Sequence, residues 1–170
     1  MRNILCYIFS FKSIKGGHDQ ALKQGFISAN ESVSELIMVL VKGLDERELK
    51  EAIGYVRTVS IAKVFANALL KRSQEYAVKV LERFIMEMSK EDIKGYAKKF
   101  EGEYALKICH SWVTEAVNRS HVYYDDAVDI LTTTREIAGE EEWKKYIQAF
   151  EEANKGKKKL VEKIRGVKWV

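Results

Sequence analysis

The sequence predicts an all-α protein of about eight amphipathic helices, arranged as a compact helical bundle or a short α-solenoid-like array. Three observations carry that prediction. No proline occurs in 170 residues, whereas sandwiches, barrels and α/β folds place proline in turns and at sheet edges. Apolar residues recur at three- and four-residue spacing along most of the chain, the period of one helix face. The charged residues, 32% of the total, are mainly Lys and Glu, which have high helix propensity and pair at i,i+4. Glycine is then the main punctuation, and Gly43, Gly102, Gly139 and Gly156 each close a periodic stretch.

Residues 1–29 are the least legible. Met1 to Phe11 is dense in Ile, Leu, Tyr and Phe and reads equally as a strand or a buried helix. Gly16-Gly17 breaks it, and a short helix from His18 to Gln24 follows, closed by Gly25. Ser32 and Glu35 have capping-box spacing, and Val33, Leu36, Ile37 and Leu40 line the next helix up to Gly43. Asp45 with Glu48 starts another, carrying Leu49, Ala52, Ile53 and Val56, with Gly54 suggesting a close approach by a neighbour. Ile61, Val64, Phe65, Ala68 and Leu69 form a further face, ended by the polar Lys71–Gln74 stretch.

From Glu75 the pattern Ala77, Val80, Leu81, Phe84, Ile85, Met88 predicts one continuous helix. Ser89 and Asp92 cap a shorter helix bearing Ile93, Tyr96, Ala97 and Phe100. After Gly102 comes one with Ala105, Ile108, Trp112 and Ala116. The last three read Tyr124-Ala127-Val128-Leu131, Trp143-Tyr146-Ile147-Phe150 and Leu160-Val161-Ile164. Glu140 to Glu142, just past Gly139, suit the positive end of a helix dipole. Glu75-Tyr76-Ala77-Val78-Lys79-Val80 echoes Glu103-Tyr104-Ala105-Leu106-Lys107-Ile108. Unequal spacing leaves both repeat ancestry and convergence open.

Residues 1–170 are of single-domain length and long enough to close a core without staples. The apolar fraction of 46% is that of a water-soluble chain. No run reaches the ~18 apolar residues that span a bilayer, so no membrane association is expected. Arg2 followed by Ile4 to Phe11 has the outline of a secretory signal, but Lys12 and Lys15 stand where a small-residue cleavage site belongs. A packed N-terminal segment is the expectation. Cys6 and Cys109 form no CxxC, which points to a reducing cytoplasm. Few Asn and Gln beside many Lys and Glu suit a heat-adapted source.

Candidate chemistry is sparse. Cys109 and His110 are about 100° apart around a helix, a poor chelating pair with His121, and Cys109 beside the apolar stripe behaves as a small hydrophobe. Asp125, Asp126 and Asp129 cluster at a helix start, where carboxylates serve capping and dipole, or hold a divalent ion with Glu115 from a neighbouring helix. The strongest feature is the basic C-terminal helix of residues 154–170, with Lys155, Lys157, Lys158, Lys159, Lys163, Arg165 and Lys168 against a single Glu162. These cations either hold nucleic-acid phosphates or complement a helix C-terminus and keep the chain soluble. The net charge of +4 is modest for a nucleic-acid binder. A terminal Trp169 either folds onto its own core or inserts into a partner subunit, which together with Ile4 to Phe11 makes a homodimer the expectation.

The run Tyr124, Ala127-Val128, Leu131, Arg135, then Trp143, Tyr146-Ile147, then Lys157-Lys158-Lys159-Leu160 resembles tetratricopeptide-like helical-repeat segments. It is similar in particular to the helical C-terminal region of some SWIM-type zinc-finger proteins of archaea and bacteria, where a "Y..A...L" helix, a "W..Y" helix and a basic helix follow one another. The resemblance covers about the last quarter of the chain. The zinc motif itself is absent. It implies a helical scaffold that displays a surface, and it carries over no catalytic or metal residues. The functional expectation is therefore a non-enzymatic protein-interaction or scaffold module without a cofactor, its protein partner unknown. A nucleic-acid accessory protein using the basic helix comes second, and a metal-dependent hydrolase on Asp125, Asp126 and Asp129 third.

Overall fold

The computed structural model describes residues 35, 37–39 and 41–167. The apolar segment Ile4 to Phe11, the His18 to Gln24 helix, the Ser32 cap, Lys168 and Trp169 lie outside the described residues. Those described form α-helices and short 3-10 turns and no strand, so the fold class is all-α. The chain divides into two compact units, Met1–Leu81 and Glu82–Val170.

In the first unit a helix ends at residue 43, and α1 (Glu46–Tyr55), α2 (Val59–Leu69) and α3 (Gln74–Glu82, its last residue in the second unit) follow. The capping box read from the sequence is present. Asp45 accepts from the Glu48 amide at 2.8 Å while Glu48 accepts from the Asp45 amide at 2.9 Å, satisfying two otherwise orphaned donors. Thr58 caps α2 through the Ile61 amide. Arg72, in the turn before α3, donates to the carbonyls of both Val41 and Leu44. Tyr76 on α3 donates to Glu46 on α1 at 2.9 Å. The core is built from Ile37, Val41, Leu49, Ala52, Phe65, Ala66, Leu69, Ala77 and Leu81. On α2 the buried face centres on Ala62, Phe65, Ala66 and Leu69, one position round from the expected stripe, and Ile61, Val64 and Ala68 are half-buried. Gly54 is not a close approach: a Cβ there would meet nothing within 4 Å.

The second unit begins with a 3-10 turn, Ile85–Glu87, followed by α4 (Lys90–Ala97), α5 (Glu103–Arg119), a second 3-10 turn (His121–Tyr123), α6 (Tyr124–Ala138), α7 (Glu140–Ala153) and α8 (Lys158–Gly166). Ser89 and Asp92 form the second predicted capping box. Gly102 and Gly139 take φ of 51° and 76° at the starts of α5 and α7, a region most L side chains avoid. Helix α5 is central, packed on α4, α6 and both 3-10 turns. Its Ala105, Ile108, Cys109, Trp112, Val113 and Ala116 are buried, and Ile130, Leu131, Trp143, Phe150, Leu160 and Ile164 complete the core. The basic helix α8 therefore belongs to the core through Leu160 and Ile164, both 0% exposed. No helix among the described residues is long and apolar enough to cross a membrane.

Candidate functional site

The periodicity from Ala77 to Met88 suits one helix, but the chain leaves it after Glu82. Phe84 sits at φ −122°, ψ 18°, and Phe84, Ile85 and Met88 stay buried nevertheless. Helix α5 holds the break in place. The Trp112 indole donates to the Met88 carbonyl at 3.2 Å in a buried setting, satisfying an acceptor that a continuing helix would have used. Ser111 donates to Glu82 at 2.7 Å, and Lys107 lies 3.8 Å from the same carboxylate.

Between this broken segment and α5 lies a cleft of about 790 Å³. Residues 82–87 form one wall, and His110, Ser111, Thr114, Glu115 and Arg119 form the other. The wall formed by residues 82–87 includes three consecutive apolar residues, the buried Phe84 and Ile85 and the half-buried Met86. Both charge signs occur on its rim. Glu82 is held by Ser111 and Lys107, and Arg83 lies over the Phe84 ring at 5.6 Å. The side chains of Glu87, Glu115 and Arg119 make no hydrogen bond or ion pair among the described residues, and all three are exposed.

At the inner side of the cleft, the His110 ring lies on that of Tyr146 from α7, centroids 3.8 Å apart and planes 4° from parallel. Tyr146 also meets Trp143 and Phe150, each at 5.9 Å. His110 Nε2 and the Tyr146 hydroxyl are buried without a hydrogen-bond partner among the described residues. Burial holds the His110 pKa below its ordinary value and pushes the Tyr146 hydroxyl up, because the charged form of each loses solvation. Cys109, next to His110 on α5, is fully buried. Burial pushes its thiol up to about 11, slightly offset by a hydrogen bond with Thr134.

The carboxylates of α6 are drawn to lysines rather than into this cleft. Asp126 lies 2.8 Å from Lys90, and Asp129 meets Lys94 at 2.5 Å and Lys90 at 3.3 Å. Asp125 meets Lys163 at 2.5 Å. Lys94, then Lys90, holds the Asp129 carboxyl below its ordinary pKa. None of the three aspartates lines the cleft that holds Glu115 and His110. Among the described residues no group of three or more His, Cys, Asp or Glu is placed to hold a metal ion.

The basic residues singled out in the sequence are largely engaged. Lys155 pairs with Glu152 at 2.7 Å, Lys163 with Asp125, and Arg165 with Glu151 at 3.0 Å. Lys157 donates to Asn118 at 2.6 Å and Asn154 at 2.7 Å, and burial lowers its pKa. Lys158 and Lys159 are exposed and carry no partner among the described residues. A smaller hollow of about 550 Å³ between α7 and α8 joins Lys155, Lys158 and Arg165 with Glu151, Glu152 and Glu162. The bases thus alternate with acids there instead of forming a single-sign surface.

Sequence reasoning missed the cleft. Its signal was present in Phe84-Ile85-Met86, three consecutive apolar residues where a one-faced helix would place polar ones. No protein-family model matches the chain, and no curated protein or solved structure shows significant similarity to it.

Proposed function

We propose that this chain is a non-enzymatic helical interaction module that receives a segment of a partner protein in the cleft over α5. One observation carries the reading: the lining of one cleft combines the apolar Phe84, Ile85 and Met86 with Glu87, Glu115 and Arg119, whose side chains make no ion pair among the described residues. Polypeptide segments carry apolar anchors and both charge signs, and such a site suits them better than it suits a polyanion. The resemblance of the last quarter to tetratricopeptide-like segments points the same way.

The test is to pan a displayed library of random peptides against the full chain, in parallel with Thr114→Arg and Met86→Glu. Thr114 is exposed and Met86 half-buried, so both substitutions obstruct the cleft while sparing the core. The expected result is a family of peptides that bind the parent and lose at least tenfold in affinity to both variants. Peptides that bind all three proteins equally, or none at all, would remove the cleft from consideration.

The nucleic-acid reading rests on Lys158 and Lys159. Its test is binding of single-stranded RNA and duplex DNA across a salt series, with Lys158→Glu/Lys159→Glu as the control. Affinity that falls steeply with salt and is lost in that variant would move this reading to first place. Cutting the chain after Asn154 is no substitute, because it removes the buried Leu160 and Ile164.

A further inference from the structure

We infer that residues 83–88 are a two-state segment, broken in this structure, which α3 can take up as further helical turns, and that the cleft exists only in the broken state. This concerns how one wall of the cleft is made, and so stands whether or not a peptide binds there.

Nothing in the local sequence breaks the helix. From Gln74 to Met88 there is neither Gly nor Pro, and Arg83, Met86 and Glu87 are good helix formers. Ala77, Val80, Leu81, Phe84, Ile85 and Met88 keep one helical face to the end of the segment. Ser89 caps α4 with its own side chain, so a helix running to Met88 would stop just before a cap that is already formed. Glu87 makes no ion pair among the described residues. In the lengthened helix it would lie one turn from Arg83, at i,i+4 spacing.

The broken state lies one backbone register away from the helix. The Glu87 amide donates to the Phe84 carbonyl at 2.9 Å and the Met88 amide to that of Ile85 at 3.4 Å, both three residues back. An α-helix moves each amide to the carbonyl one residue earlier. Phe84 then leaves φ −122°, ψ 18°, and Met88 leaves φ −89°, ψ 136°.

Helix α5 holds the break through side chains at both of its ends. Ser111 and Lys107 hold the Glu82 carboxylate where the segment begins, at 2.7 and 3.8 Å. Trp112 donates to the Met88 carbonyl where it ends, at 3.2 Å. Each such contact contributes modestly on its own, so a few side chains decide between the two states. Residues 82–87 form one wall of the cleft. Helical regrowth dismantles that wall, and anything seated in the cleft favours the broken state.

The test follows the 13Cα resonances of residues 83–88 in the full chain by chemical-exchange saturation transfer, which reads slow exchange with a minor state. The parent is compared with Trp112→Phe, which removes the contact at Met88, and with Lys107→Ala/Ser111→Ala, which frees Glu82. A minor state with helical shifts at residues 83–88 is expected. Its population should be about fivefold or more higher in each variant than in the parent, the weight of one ordinary hydrogen bond. Ile130 and Leu131, buried on α6, serve as controls and should keep the parent's shifts. No helical minor state in either variant, a population no higher than the parent's, or random-coil shifts would each overturn the inference. Trp112 is buried, whereas Ser111 is half-buried and Lys107 exposed, so if Trp112→Phe fails to fold the second variant decides alone.

Discussion

His110 on α5 and Tyr146 on α7 form a parallel stack 3.8 Å apart, and each ring buries a polar atom that makes no hydrogen bond among the described residues. Their contact joins the wall of the cleft to the helix behind it. It also has a cost, because an unpaired buried polar atom forfeits about 1–3 kcal/mol of solvation.

Replacing either orphaned group with its apolar counterpart should therefore not destabilise the fold. His110→Phe and Tyr146→Phe are each expected to leave stability unchanged or raise it by about 1 kcal/mol, read by urea unfolding at pH 7.5. Losses above about 2 kcal/mol in both variants would show that these atoms are satisfied in solution.

The same stack gives a pH dependence of definite sign. Burial places the folded-state pKa of His110 below its ordinary value of 6.5. Between those two values the unfolded chain binds more protons than the folded one, so stability falls as pH drops through the window and levels off beneath it. The difference in unfolding free energy between the parent and His110→Phe isolates this group. It should be flat above pH 7.5 and move against the parent as pH falls through 6.5. A difference that stays constant down to pH 5.5 would contradict the burial of Nε2.

Cys109 should resist alkylation in the folded protein. Its side chain is fully buried and its thiol is pushed up to about 11, so little thiolate exists at neutral pH. Iodoacetamide at pH 7.5, followed by peptide-level mass spectrometry, should leave Cys109 unmodified until denaturant is added. Rapid native labelling would mean that α5 opens locally.

Helix α8 is expected to behave as core despite its charge. Leu160→Ala should cost about 2–5 kcal/mol, the usual range for a buried leucine. Lys159→Ala, exposed on the same helix, should change stability by less than about 0.5 kcal/mol. Thermal or urea unfolding of the two variants separates these outcomes, and similar small effects would mean that α8 is peripheral.

Much of the helical framework was legible because its signals are local. Asp45 with Glu48 and Ser89 with Asp92 mark helix starts by chemistry that acts over three residues, and both boxes form as read. The turns at Gly102 and Gly139 were legible because glycine marks them locally. The break after Glu82 was not. Apolar spacing reports which residues are buried, and Phe84, Ile85 and Met88 are buried as expected. Continuity of the helix was decided instead by Trp112 and Ser111, more than twenty residues downstream. The basic helix shows the same limit. Its charges read as a run in sequence, but Asp125 and Asn118, 38 and 39 residues before their lysine partners, lie beyond the reach of any local pattern.

Arg72 closes the end of a helix that lies well before it in the chain. Its guanidinium takes the carbonyls of Val41 and Leu44, 31 and 28 residues upstream, a task usually left to a glycine or to the next residues in line. During synthesis that helix end has to wait with its carbonyls in water until residue 72 has left the ribosome. Its completion is thus timed by the emergence of the turn between α2 and α3, and a truncated chain ending before Arg72 would carry a frayed helix that no local residue can finish.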